Sequence, residues 1–139
     1  MSGDRLRVLL VEDETLNRAL VRAVLNRRAD ELPPLDLVEV DTLADARKAL
    51  GENPADIILL DVRLPDGSGL DLARELRDGR DEADSPVVAI LSASVLALER
   101  VAAQAAGADA FLAKPFVPTE LTALIKRMAA MVQERHGTD

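Results

Sequence analysis

Three carboxylates, a hydroxyl and an amine occur in this chain at one kind of place, directly after a run of aliphatic residues. Glu12-Asp13 follows Val8–Val11, and Asp61 follows Ile57–Leu60. Ser92 follows Val87–Leu91, and Lys114-Pro115 follows Ala110–Ala113. Adjacent carboxylates are costly to hold together unless a cation neutralises them, and hard oxygen donors of this kind suit Mg2+ or Mn2+. With a hydroxyl and an amine added, the set can neutralise phosphoryl oxygens, so metal-assisted phosphoryl chemistry is expected. Singly, each residue has a plainer reading: a solvated helix start, a turn aspartate, a capping serine, a surface lysine. Their shared position after apolar runs outweighs those readings.

For these side chains to meet, the runs must be strands of one parallel sheet, whose carboxyl ends line a common crevice. Five runs fit: Val8–Val11, Leu37–Val40, Ile57–Leu60, Val87–Leu91 and Ala110–Ala113. Three are continuously apolar, as strands covered on both faces should be. Asp36, Glu39 and Asp41 break up the second run, which is therefore expected at an edge. Helical patterns alternate with the runs. Leu16, Leu20 and Val24 share a face of the first helix, which must stop before Pro33-Pro34. Thr42 and Asp45 form a capping-box pattern, and Gly51, Gly79 and Gly107 are placed to end the second, third and fourth helices. The third helix should start at about Gly69, with Pro65 and Gly67 shaping a tight loop after Asp61. Ser94 is a candidate cap for the fourth helix, and Pro118 opens the fifth, running towards Arg135. This (βα)5 alternation with short connections predicts an α/β, doubly wound parallel sheet.

Bulk properties narrow the function. The chain has 139 residues, 48% hydrophobic and 30% charged, which fits one soluble domain with a real core. Its core is expected over about residues 6–130, with a short disordered N-terminus and C-terminal tail. Phe111 and Phe116 are its two aromatic residues and its net charge is −8, so direct nucleic-acid binding is not expected. The absence of cysteine excludes disulfides and thiol chemistry and fits a cytoplasmic protein. No stretch reads as a membrane span or signal peptide.

The chain resembles the receiver domain of two-component response regulators over essentially its full length. The resemblance rests on Val8-Leu9-Leu10-Val11-Glu12-Asp13-Glu14, Leu60-Asp61-Val62-Arg63-Leu64-Pro65-Asp66-Gly67, Leu91-Ser92-Ala93-Ser94 and Ala106–Phe116 with its Lys114-Pro115. It implies a flavodoxin-like sheet of order 2-1-3-4-5. It also implies that Asp61 accepts a phosphoryl group from a histidine kinase or a histidine phosphotransfer protein. Asp13 and Asp61 would ligate Mg2+ directly, Glu12 through water, and Arg63 through its backbone carbonyl. Lys114 would pair with the phosphoryl group, Ser92 would donate to a phosphoryl oxygen, and Phe111 would be the switch aromatic. Pro115 would lock the loop that aims Lys114, through a cis peptide bond. The surface of the fourth helix, fifth strand and fifth helix would then change to regulate a downstream protein, and is where a homodimer would form. Such a domain is not an enzyme in the ordinary sense, since it catalyses only its own phosphorylation and dephosphorylation.

Departures from the family pattern are Phe111 for the commoner Tyr, Arg63 and Ser94 at positions that tune hydrolysis, and Val117 for a capping Asp. The chain ends about one helix after Lys114-Pro115, as expected of a stand-alone regulator or a receiver excised from a larger protein. Some segments are similar to receivers attached to hybrid histidine kinases. Other functions fit less well. An aspartyl-phosphate phosphatase wants a carboxylate where Arg63 stands, and a flavin carrier wants aromatic stacking groups. A histidine phosphotransfer protein would need more than His136, placed in the tail. A receiver kept only as a binding scaffold would have lost part of the chemical set, and none of it is missing.

Overall fold

The computed structural model describes residues 5–79, 85–93 and 97–136. Strand β1 (Leu6–Val11) is followed by α1 (Thr15–Arg27), a 3-10 turn (Ala29–Glu31), β2 (Leu35–Val40) and α2 (Leu43–Glu52). Then come β3 (Ile57–Asp61), two short strands β4 (Arg63–Leu64) and β5 (Gly67–Ser68), and α3 (Gly69–Asp78). The chain closes with β6 (Val87–Ser92), α4 (Ala97–Ala105), β7 (Ala110–Ala113) and α5 (Pro118–His136).

The main sheet is parallel with order β2-β1-β3-β6-β7. Setting aside the β4-β5 hairpin, that is the expected 2-1-3-4-5. The broken-up second run is at an edge, where its alternating exposure is tolerated. Every residue of β3 and β6 is buried.

Alternation along the strands sends successive side chains to opposite faces. Val8, Leu10, Ile57, Leu59, Ala89 and Leu91 pack with Val21, Val24 and Leu25 of α1 and Leu121, Leu124, Ile125 and Met128 of α5. Leu9, Val11, Ile58, Leu60, Val88 and Ile90 pack with Leu43, Ala46, Leu72, Ala73, Leu76 and Ala103 of α2, α3 and α4. Burying each such aliphatic contributes about 1.5–3 kcal/mol, and the near absence of aromatics makes these layers the main source of stability.

Two local expectations need correction. Leu16 does not share the buried face of α1: it is 81% exposed, and the buried positions are Val21, Val24 and Leu25. The buried positions all lie in the second half of α1, so its first turn leaves Leu16 uncovered. Gly51 does not end α2, which continues to Glu52 with Asn53 as its cap. Space around Gly51 is open, so no backbone constraint selects it as a stop. Gly79 and Gly107 do lie at the ends of α3 and α4, and Gly107 takes φ +94°. Ser94 lies outside the described residues.

The sequence predicts only a tight loop after Asp61, and the structure pairs β4 with β5 there as a short antiparallel hairpin. It turns the chain at Gly67 (φ +147°), and the Gly69 amide donates to the Val62 carbonyl at 2.8 Å. A Cβ on Gly69 would lie 2.0 Å from the Asp61 carbonyl oxygen, a backbone atom that cannot move without moving the site. Gly69→Ala should therefore cost more than about 2 kcal/mol in urea denaturation. A loss below about 0.5 kcal/mol would mean that this close approach does not exist in solution.

Candidate functional site

At the carboxyl edge of the sheet the backbone ladder runs one residue past the strands and holds the polar residues in place. The Glu12 amide donates to the Val40 carbonyl at 3.0 Å, Val62 to Leu91 at 3.2 Å and Lys114 to Ser92 at 2.8 Å. Asp13, Glu14, Asp61, Val62, Arg63, Ser92, Ala93 and Lys114 line one cleft of about 550 Å³. Asp13, Asp61, Ser92 and Lys114 thus share one cleft, and fully buried Glu12 joins them through its contact with Lys114.

Lys114 Nζ sits between two carboxylates, 2.7 Å from Glu12 Oε1 and 3.0 Å from Asp61 Oδ2. Its side chain is 11% exposed and the Lys114-Pro115 peptide is cis. Glu12 is fully buried; its Oε2 accepts from the Glu14 amide at 3.0 Å. Its Oε1 has the ammonium close by but off hydrogen-bond direction, leaving that buried oxygen without a hydrogen bond. Asp61, 5% exposed, accepts from Lys114 and, at 3.3 Å, from the Arg63 amide. Asp13 is exposed. Arg63 sits on β4 with its side chain exposed, and Pro115 is exposed behind Lys114.

One ammonium does not balance three carboxylates. Glu12, Asp13 and Asp61 each offer an oxygen, these atoms lying within 4.8 Å of one another. An all-oxygen donor set carrying excess negative charge, with one buried oxygen lacking a hydrogen bond, fits a small hard dication. Burial raises the Asp61 carboxyl to about 6; the Lys114 hydrogen bond opposes this, and the Glu12 charge adds to it. Burial pulls the Lys114 ammonium down, but its close contacts with the Glu12 and Asp61 carboxylates outweigh it and hold its pKa above the usual lysine range.

A carboxyl whose pKa is higher folded than unfolded loses stability as pH rises from about 4 to about 6. At one pKa unit per 1.36 kcal/mol, the charged Asp61 costs at most about 3 kcal/mol at neutral pH. In chelator, Asp61→Asn should be about 1–3 kcal/mol more stable than the parent at pH 7.5, and the two should converge below pH 4. Equal stabilities at both pH values would show that Asp61 is not held in an unfavourable charged state.

Ser92 is buried, lines the cleft, and donates its hydroxyl hydrogen bond to Glu99 Oε1 on α4. Phe111 is partly buried against the α2–α4 side of the sheet, with the Arg100 guanidinium 4.8 Å from its ring centroid. Neither Glu99 nor Arg100 follows a strand, so the pattern that marks the other residues passes over them. Asp66 was likewise missed. From the β4-β5 turn its carboxylate accepts from the Leu43 and Ala44 amides at 2.8 and 3.0 Å, capping α2 beside the Thr42 hydroxyl, which accepts from the Asp45 amide. Those backbone donors hold the Asp66 pKa below its usual value. Arg18 holds the first turn of α1 to the site by donating to the Glu12 carbonyl at 2.8 Å.

A doubly wound parallel sheet with an acidic trio and a lysine at its carboxyl edge defines an α/β protein of the flavodoxin-like class. The chain belongs to the response regulator receiver domain family of two-component signalling, whose family model matches residues 8–126. It is 38% identical over 140 residues to the transcriptional regulatory protein GltR of Pseudomonas aeruginosa, covering 99% of this chain and 55% of GltR. It is also 38% identical over 127 residues to the aerobic respiration control sensor protein ArcB of Escherichia coli, covering 88% of this chain and 15% of ArcB. It thus spans about half the length of the first of these relatives and a small part of the second. Among solved structures, the receiver domain of a Pseudomonas aeruginosa sensor histidine kinase superposes with a TM-score of 0.76 at 28% identity, covering 91% of this chain and 98% of that one. That structure has a magnesium ion coordinated in its active-site cleft. Among the described residues, no helix is long and apolar enough to cross a membrane.

Proposed function

We propose that this chain is a phosphoacceptor switch in which Asp61 takes a phosphoryl group from a phosphohistidine on a partner kinase or phosphotransfer protein. The observation that carries the proposal is the Lys114 ammonium bridging buried Glu12 and Asp61 beside an acidic cluster in one cleft. An Asp61 oxygen attacks phosphorus, the bond from phosphorus to the donor nitrogen breaks, and the departing imidazole keeps the electron pair and takes a proton from water. Glu12, Asp13, Asp61 and the Arg63 carbonyl are the groups that would hold Mg2+ or Mn2+. When bound, that dication supplies charge neutralisation to the phosphoryl oxygens. Lys114 exchanges its contact with Asp61 for one with the new phosphoryl group, and Ser92 donates to a phosphoryl oxygen. Phe111 follows Ser92 inward, and the α4-β7-α5 surface changes so that it regulates a downstream protein or pairs with a second copy. Residues 6–130 form the receiver unit, and its catalysis is confined to its own phosphorylation and dephosphorylation, in the cytoplasm.

The test is incubation with acetyl phosphate and Mg2+, followed by peptide-level mapping of an acid-stable, base-labile adduct. The reading requires label on Asp61 that disappears on chelation. No label with several small donors, or label on another residue, would remove it.

A further inference from the structure

Helix α4 touches both switch side chains through consecutive residues. Glu99 accepts the Ser92 hydroxyl hydrogen bond, and Arg100 stacks on the Phe111 ring. Ser92 and Phe111 sit on neighbouring strands, β6 and β7, which are paired residue by residue through Ser92 and Ala113. The first turns of α4 therefore grip two strands at once.

We propose that Glu99 and Arg100 form a latch that holds the unphosphorylated state, with Glu99 and the incoming phosphoryl group competing for the Ser92 hydroxyl. This deepens the phosphoacceptor reading and rests on it. The competition follows from the chemistry of serine, whose hydroxyl has one proton to donate. While that proton goes to the Glu99 carboxylate it is not available to a phosphoryl oxygen. Transfer of the bond to the phosphoryl group therefore releases Glu99, and with it the hold of α4 on β6. Arg100 supplies the second hold. A guanidinium over a ring is an attraction that depends on the ring's position, so Phe111 must leave it in order to turn inward. Glu99 and Arg100 are positioning residues: neither needs to touch the phosphoryl group. Loss of Glu99 should favour the activated state even though the site chemistry is unaltered.

A hydrogen bond to a charged acceptor, partly repaid when the freed carboxylate is hydrated, corresponds to about a tenfold bias. The test uses beryllofluoride with Mg2+ as a phosphoryl mimic, titrated while the Phe111 ring resonances are followed by NMR. Phe116, a buried core ring, serves as the internal reference. Glu99→Ala should move the midpoint to about tenfold lower beryllofluoride, with Glu99→Gln in between because the amide oxygen still accepts, but without charge. Glu134→Ala, an exposed acid near the far end of α5, controls for loss of one negative charge and should titrate like the parent. Without any beryllofluoride, Arg100→Ala should shift the Phe111 resonances part-way towards their bound position while Phe116 stays fixed.

If the parent titrates and Glu99→Ala has the same midpoint, the latch is wrong while the phosphoacceptor reading stands. A Glu134→Ala shift as large as that of Glu99→Ala would reduce the effect to net charge and also overturn the latch. Phe111 resonances unmoved in Arg100→Ala would remove the second hold. A parent protein that gives no response at any beryllofluoride concentration would take down the phosphoacceptor reading itself, and the competition with it.

Discussion

Asp61→Asn will abolish the acid-stable, base-labile phosphoryl adduct, by a factor on the order of 10³ or more in initial rate. An amide is no substitute for a carboxylate nucleophile, and the other carboxylates of the cluster are poorly placed to take over. Glu12 is fully buried with Lys114 against one oxygen and the Glu14 amide on the other. Asp13 is exposed and chemically competent, which makes it the residue to watch. Mass spectrometry of peptides from the Asp61→Asn variant decides the matter. Label on Asp13 at a rate near that of the parent would show that the acceptor had been assigned to the wrong carboxylate. The same variant retains its fold on the grounds given above and is expected to be the more stable protein in chelator, so loss of label will not reflect unfolding.

Lys114→Ala will cost about 3–5 kcal/mol of stability at pH 7.5 in chelator, the range for removing one partner of a buried ion pair. Two buried carboxylates would then face each other without their counter-charge. The sign with pH follows from the two shifts. The ammonium pKa is raised, so its stabilising effect is fully present below the ordinary lysine pKa and is lost only as pH rises through the higher folded value. Asp61 is raised to about 6 even with Lys114 holding it down, so without the lysine it takes up a proton at a higher pH still, and that proton removes much of the repulsion. The gap between parent and variant should therefore be larger at pH 7.5 than at pH 5, where Asp61 is protonated in both proteins. Millimolar Mg2+ should restore much of the loss, because a ligand that binds only the folded state stabilises it by mass action. Urea midpoints at pH 5 and 7.5, with and without Mg2+, measure this directly. A variant as stable as the parent at pH 7.5 in chelator would mean that Lys114 does not hold these carboxylates together in solution.

Several site features were legible without coordinates because they follow from strand ends. An aliphatic run buried on both faces leaves its first polar residue at the sheet edge, and a parallel sheet places all such edges side by side. That is why Glu12, Asp61, Ser92 and Lys114 could be brought together on paper. Helix faces were less legible. Leu16 obeys the spacing of a buried position, yet no part of the fold covers it and it stays exposed.

What the sequence determined by itself is the alternation of five main strands and five helices, the edge position of β2, and the strand-end placement of Asp61, Ser92 and Lys114. These depend on the order of apolar and polar residues along the chain, which is local information. The tertiary structure alone decided that Asp66 caps α2, that Gly69 must lack a side chain above Asp61, and that Glu99 and Arg100 reach Ser92 and Phe111. Each of those is a contact between segments whose separation in sequence carries no periodic signal. Only the packing of helices onto the sheet sets which side chains come within a few ångströms, and that packing is a property of the whole chain.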